Sequence, residues 1–355
     1  MKLSSGFYVT LALSVLLGIA DASKGDDLPE FRQCLETCVI STCNSDGIYK
    51  GTVYDTYSKH RFDKMPLPLH LSILGWNCEN NCDYQCQRII TSEREANGLP
   101  VYQFHGKWPF LRVFGIQELF STLFSIGNFI PNYWGFNTIW RQYTHERKLG
   151  NHEFCNLYWA YILVSVISMC AWFFSSVFHL KDTWDRERLD YFFAGMTVLT
   201  GFYAVNVRFF HLYRHENSKK RKFLALTCIF MYVCHVSYLL HVWSYTYNMK
   251  ANVVIGLLQN FLWVALSITQ FNKIKKEQLS LLENLKQSDV NWTLTPLLLV
   301  LSVSCGMSFE LFDFPPKFDL LDAHAMWHFA TIWPTMYWFP YMVKDTEGLK
   351  TRKFD

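Results

Sequence analysis

Charge is what this chain has least of. Only 18% of its 355 residues are Asp, Glu, Lys or Arg, and the net charge of +3 gives no sign of a nucleic-acid partner. Internal repeats, low-complexity tracts and long flexible linkers are also missing, which argues against a solenoid or a disordered arm. Apolar residues make up 50% and aromatics 17%, a balance that leans toward a membrane protein. The mean hydropathy of +0.04 is low for that class because a polar N-terminal quarter dilutes the rest.

Residues 1–22 read as a secretory signal peptide. Lys2 supplies the positive start, Tyr8 to Ile19 the short apolar core, and Ala20-Asp21-Ala22 the small residues of a cleavage site. An uncleaved anchor is the competing reading, and the core is short for one. The mature chain is then expected to begin in the lumen of the secretory pathway. Six of the eleven cysteines crowd into the next stretch: Cys34, Cys38, Cys43, Cys78, Cys82 and Cys86. An even number in an oxidising compartment implies up to three disulfides, whose pairing the sequence leaves open. Zinc is the alternative, but the two-residue gaps of zinc knuckles are absent. Cys155, Cys170, Cys228, Cys234 and Cys305 lie in apolar runs and read as packing residues.

Residues 23–112 are expected to form a small disulfide-rich lumenal domain. Its patch Leu67 to Leu74 rests either on the bilayer or in a small core. Seven apolar runs follow, near 113–134, 154–179, 190–212, 223–245, 252–271, 293–312 and 324–343. Each approaches the roughly 20 residues that cross a bilayer as a helix, and lipid cannot satisfy any other open backbone. Gln117, Glu118 and Asn128 interrupt the first. The fold class is thus all-α: a seven-transmembrane helix bundle over 113–343, a lumenal N-terminal domain and a cytosolic tail at 344–355.

Loop charges orient the bundle. Arg141, Arg147 and Lys148 follow the first run, Lys219 to Lys222 the third, and Lys273, Lys275 and Lys276 the fifth. Lys350, Arg352 and Lys353 close the chain, whereas Asp182, Asp185 and Glu187, and then Glu310, Asp313 and Asp319, mark the opposite side. Basic loops stay cytosolic, so the N-terminus is lumenal and the C-terminus cytosolic.

That topology brings three distant stretches to one membrane face. Ser175 and His179 end the second run, Asp190 opens the third, and His324 and His328 open the seventh. Residues four apart share a helix face, so each pair points one way. Three imidazoles with an open fourth position form the ligand set of a catalytic zinc site. A carboxylate beside it suits a base or proton shuttle, and a hydroxyl suits an oxyanion donor; Asp190 and Ser175 fit those jobs. His211 and His215 have the same spacing but fall on the cytosolic side beside Arg214, and read as interfacial. His235 and His241 do not share a face and read as packing residues. Arg208 can snorkel toward the cytosolic surface. Glu118 could orient a site residue or cap its helix, while Glu310 and Asp313 could assist the site or simply be solvated.

The pattern Ser175-x-x-x-His179, Asp190, His324-x-x-x-His328 resembles the CREST superfamily of seven-helix membrane hydrolases, which includes the alkaline ceramidases. The cysteine frame Cys34-x-x-x-Cys38 and Trp76-x-Cys78-x-x-x-Cys82-x-Tyr84-x-Cys86 is similar to that of the Per1-like family. So are Tyr102-x-Phe104-x-Gly106-Lys107-Trp108-Pro109-Phe110 and Gln117-Glu118. Animal members of that family are known as post-GPI-attachment-to-proteins factor 3. The resemblance implies removal of the sn-2 acyl chain from glycosylphosphatidylinositol (GPI) anchors, with Zn2+ held by His179, His324 and His328 and the site completed by Ser175 and Asp190. It implies GPI-anchored proteins and membrane lipid as partners. Fungal members act in the endoplasmic reticulum and animal ones in the Golgi; the basic tail holds no clean dilysine signal to decide. Two rivals stand beside this reading: a ceramidase-like amide hydrolase using the same site, and a seven-helix receptor or chaperone with a structural metal.

The sequon Asn291-Trp-Thr293 falls on the expected cytosolic side. Enzymatic deglycosylation should therefore leave gel mobility unchanged; a shift abolished by Asn291→Gln would invert the topology.

Overall fold

The computed structural model describes residues 23–50, 60, 62, 67–280 and 290–351, residues 276–280 by backbone alone. The expected signal peptide lies outside the described residues. Among them are ten α-helices and no β-strand beyond isolated two-residue bridges.

The N-terminal domain rests on α1 (Pro29–Thr42) and α3 (Cys78–Ala96). Cysteines four apart fall on one face of each helix. The helices pair antiparallel, so Cys34 joins Cys86, Cys38 joins Cys82 and Cys43 joins Cys78. The six sulfurs are thereby consumed as bridges, which removes the thiolates that a zinc site would need. Phe31, Ile90 and Phe104 complete a small core that the bridges staple shut.

Between them lies α2 (Leu69–Leu74), ended by Gly75 at φ +94°, a left-handed cap that glycine accepts without strain. The patch of residues 67–74 is divided between the two faces of its helix. Leu71 packs inward near Gly115, while Leu69 and Ile73 stay exposed.

Seven long helices follow: α4 (Leu119–Lys148), α5 (His152–Leu180), α6 (Trp184–Phe209), α7 (Ser218–His241), α8 (Tyr245–Ser280), α9 (Thr295–Phe312) and α10 (Ala323–Thr351). Five of them, α5 to α9, are long and apolar enough to cross a membrane. Helix contacts close a six-membered ring in the order α4, α5, α6, α8, α9, α10 and back to α4, with α7 packed on α6 outside it. Phe223, Leu226 and Phe230 on α7 face outward, as lipid-facing residues do. Gly135 lets α4 and α10 approach closely, since a Cβ there would meet the Phe339 ring at 2.2 Å.

Three boundaries differ from the sequence reading. The first run becomes helical only at Leu119, because residues 113–116 form a tight bridged turn with Gly115 at φ +85°. The third helix starts at Trp184, six residues before Asp190, so the charged stretch after Lys181 is largely helix. Asp185 and Glu187 sit in its first turn, where they meet the positive end of the helix dipole. Lys181, just before this helix, is buried. The last helix runs on to Thr351, well past the end of its apolar run at 343.

That extension has a partner. Arg208 does not snorkel; it is 2% exposed and makes a bidentate pair with Asp345, which Gln270 also contacts. Lys350 pairs with buried Glu146 at 2.5 Å nearby. Breaking one side of a buried pair leaves an uncompensated charge, a loss of about 3–5 kcal/mol. Arg208→Met should therefore lower the unfolding temperature of the detergent-solubilised protein markedly. Arg208→Met with Asp345→Leu should recover most of it; failure to recover would show that the pair does more than balance charge.

Candidate metal centre

A short backbone pairing builds the site. Where α5 ends, its last carbonyls lack intrahelical partners. The amides of Gln117 and Glu118 fill that gap, donating to Leu180 O at 2.9 Å and His179 O at 3.1 Å. Gln117 Oε1 accepts from the Asp182 amide. The start of α4 is thus locked against the end of α5, with the Glu118 side chain beside the His179 ring.

His179 meets His324 and His328, four residues apart in the first turns of α10. Each offers one ring nitrogen, and the three atoms all lie within 4.8 Å of one another. The ring centroids stand 5.2, 5.1 and 4.5 Å apart for the pairs 179–324, 179–328 and 324–328. His179 and His328 are buried, while His324 is partly exposed.

Each ring is fixed by its other nitrogen. His179 Nδ1 donates to Glu118 Oε2 at 2.8 Å, and His324 Nδ1 donates to Glu310 Oε2 at 2.8 Å. Ser125 Oγ donates to Ser121 O at 2.7 Å, which leaves its lone pairs for His328 Nδ1 at 3.0 Å and Ser175 Oγ at 3.0 Å. Asn128 and Thr331 both donate to the His328 carbonyl. A proton on Nδ1 leaves Nε2 as a bare lone pair, and His179 Nε2 is indeed buried with no hydrogen-bond partner. An orphaned buried imidazole nitrogen, in a set of three whose Nδ1 atoms are engaged by carboxylates or hydroxyls, fits a bound transition metal. Imidazoles suit zinc, copper, iron or nickel.

Glu118 is itself supported. It is 3% exposed, and Lys107 Nζ lies 2.5 Å from its Oε1 and 3.1 Å from Asp182 Oδ2, with the Phe178 ring beneath at 3.7 Å. Burial would weaken the hold of Lys107 on its proton, but the two carboxylates override it and raise its pKa above the usual lysine value. Lys107 comes from a two-residue hairpin in which Phe104 and Lys107 exchange backbone bonds. Its tip, His105 and Gly106, holds φ +50° and +79°, the primed-turn geometry that favours glycine.

Ser175 lies one turn before His179 and joins the hydrogen bonds around His328 through Ser125. Asp190, in the second turn of α6, is partly exposed and makes none of the bonds that fix the rings. His211 sits past the end of α6 against Tyr213, and His215 lies in a short 3-10 turn, far along the chain from the cluster. His235 bonds Tyr247. Glu118 holds the His179 ring and makes no side-chain cap to its helix. Glu310 holds the His324 ring and accepts from Tyr245 OH at 3.2 Å. Asp313 instead receives Gln103 and Trp108, both at 2.8 Å, and so ties the loop after α9 to the N-terminal domain.

Ser121 and Ser125 were not singled out from the sequence, and Asn128 and Lys107 were named without a role at the site. The signal was available in α4: Glu118, Ser121, Ser125, Asn128 and Asn132 recur every three or four residues and are all buried. It is a polar stripe at helical period inside an apolar run.

A model of the Per1-like family matches residues 68–346. Protein PER1 of Saccharomyces cerevisiae is 39% identical over 348 residues, which span 95% of this chain and 96% of that protein. Protein PER1 homolog of Schizosaccharomyces pombe is 38% identical over 340 residues, 95% and 91% of the two chains. GPI-specific phospholipase A2-like PGAP3 of Xenopus tropicalis is 32% identical over 332 residues, 93% and 92%.

Proposed function

The chain belongs to the Per1-like family of GPI-anchor remodelling proteins, and from that premise we propose that it hydrolyses the sn-2 acyl ester of GPI-anchored proteins at the lumenal leaflet, leaving lyso-GPI. The reading takes seven membrane crossings, a lumenal N-terminus after removal of residues 1–22, and residence in the endoplasmic reticulum. The Golgi is the alternative compartment. Higher identity to the fungal relatives than to the frog protein supports the former.

The observation that carries the chemistry is the three-histidine group, whose rings are pre-oriented and which, among the described residues, takes in no fourth His, Cys, Asp or Glu. Three protein ligands leave room for water or substrate, the mark of a catalytic rather than a structural zinc. In this reading His179, His324 and His328 hold Zn2+, which supplies Lewis-acid activation of water and carbonyl when bound.

The chain's own groups do the rest. Asp190, free of the ring-fixing bonds, takes a proton from the attacking water and returns it to the departing glycerol oxygen as the carbonyl–oxygen bond breaks. Ser175 holds one proton, which it gives to Ser125 at rest and to the developing oxyanion during attack. Glu118 and Glu310 keep the rings in the tautomer that presents Nε2, and Lys107 holds Glu118 in place. Trp172 stands edge-on to His328 at 5.2 Å and helps to exclude water from that side.

The test is release of fatty acid by the purified protein from a defined GPI and, in parallel, from a ceramide. Wild type should act on GPI. His324→Ala should fall by at least about a hundredfold and lose metal. Ser175→Ala should keep its metal yet lose on the order of 10²-fold or more in turnover. Equal release by wild type and His324→Ala would remove the metal mechanism, and activity on ceramide alone would replace the ester by an amide substrate.

A further inference from the structure

One arginine near the start of α6 is held by aromatic rings, with no carboxylate at ion-pair distance among the described residues. Arg188, in the second turn of α6, sits with its guanidinium carbon 4.2 Å from the centre of the Trp184 ring and 5.8 Å from that of Trp243. Its Nε is buried with no hydrogen-bond partner. Acidic side chains are close in sequence, and Glu187 acts on it across a distance, yet among the described residues none reaches ion-pair contact. Asp182 pairs with Lys107, Glu310 with His324 and Tyr245, and Asp185, Glu187 and Asp190 form no ion pair with it.

A guanidinium lying on an indole face is held by its cation–π attraction and by its weak hydration. Its N–H groups then radiate in plane, away from the aromatic faces. That edge matches two oxygens of a phosphate, which arginine engages bidentately. Trp184 is 49% exposed at the start of an apolar helix, and tryptophan in that setting collects at headgroup level.

The aromatic wall leads straight to the histidines. Tyr191, three residues after Arg188 and so on the same face, stacks on Trp243 at 5.4 Å with 14° between the planes. Its ring meets Tyr245 at 6.0 Å, and Tyr245 OH donates to Glu310, the carboxylate that fixes His324. In a phosphoglyceride only the glycerol backbone separates the phosphate from the sn-2 ester.

We propose that the Arg188 guanidinium, held against Trp184 and Trp243, is the anchor for the phosphodiester of the lipid substrate, a headgroup site beside the metal centre. The inference rests on the lipid-hydrolase reading above and names the part of the lipid that the chain grips. It makes the anionic phosphodiester, rather than the acyl chains alone, the feature that selects the substrate.

Binding tests it apart from catalysis. The full-length protein in detergent is titrated with phosphatidylinositol, with a diacylglycerol of the same acyl chains, and with inorganic phosphate, and the unfolding temperature is read. Wild type should be stabilised by phosphatidylinositol and not by the other two. Arg188→Gln should bind phosphatidylinositol about tenfold more weakly, with Arg188→Lys in between, at unchanged metal content and unchanged unfolding temperature without lipid. Equal affinity of wild type and Arg188→Gln would overturn the proposal. So would equal stabilisation of wild type by diacylglycerol, an arm that stands even if the variant does not fold. Stabilisation by inorganic phosphate at matching concentration would make this a free-anion site and overturn the lipid assignment. Chelated wild type should still bind phosphatidylinositol; loss of binding there would assign the headgroup to the metal instead. Persistent binding by a protein that hydrolyses nothing would remove the reaction and leave the anchor.

Discussion

A carboxylate buried to 3% exposure must be compensated, and the compensation of Glu118 organises this molecule. One oxygen takes the His179 ring and the other takes Lys107. Because Lys107 belongs to the N-terminal domain, the same ion pair seats that domain over the bundle. The disulfides then matter to the site at a distance: they hold α1 and α3 together, and Phe104, at the foot of the Lys107 hairpin, packs in the core they enclose. Other contacts reinforce the seat. Arg88 reaches Asp319 at 2.6 Å, and Trp108 and Gln103 reach Asp313, so the loop before α10 is fixed from above as well. Both histidine-bearing helices are thus positioned by residues outside the bundle.

The bundle carries apolar side chains on its rim as well as in its core, and polar groups are paired at the two ends of its interior. At one end the polar interior is the histidine cluster with its carboxylates and serines. At the other it is Arg208 with Asp345 and Glu146 with Lys350. The two serve different ends. The second is closed, each charge having its partner, and acts as a structural clamp between α6 and α10 and between α4 and α10. The first is open, with His179 Nε2 and Arg188 Nε buried and without a hydrogen-bond partner.

Much of this was legible in the sequence because its causes are local. Apolar length gave the long helices, cysteine crowding gave the stapled domain, and spacing singled out His179, His324 and His328, which the fold brings together. The cysteine pairing was not readable from composition, yet it follows once α1 and α3 are seen as antiparallel helices with cysteines four apart. Helix ends were misjudged wherever polar residues found partners: apolarity stops at 343, but Asp345 and Lys350 extend α10 because Arg208 and Glu146 await them. The roles of Glu118 and Glu310 needed tertiary contacts, since a carboxylate that caps, one that is solvated and one that steers an imidazole look alike in one dimension.

The central claim is that His179, His324 and His328 hold a zinc ion. Metal quantification with X-ray absorption at the zinc edge, on the full-length protein in detergent, tests it most directly. The account predicts about one zinc per chain, with nitrogen neighbours at ~2.0–2.1 Å and the outer-shell scattering of imidazole. A metal-free protein, or zinc surrounded by sulfur at ~2.3 Å, would contradict it.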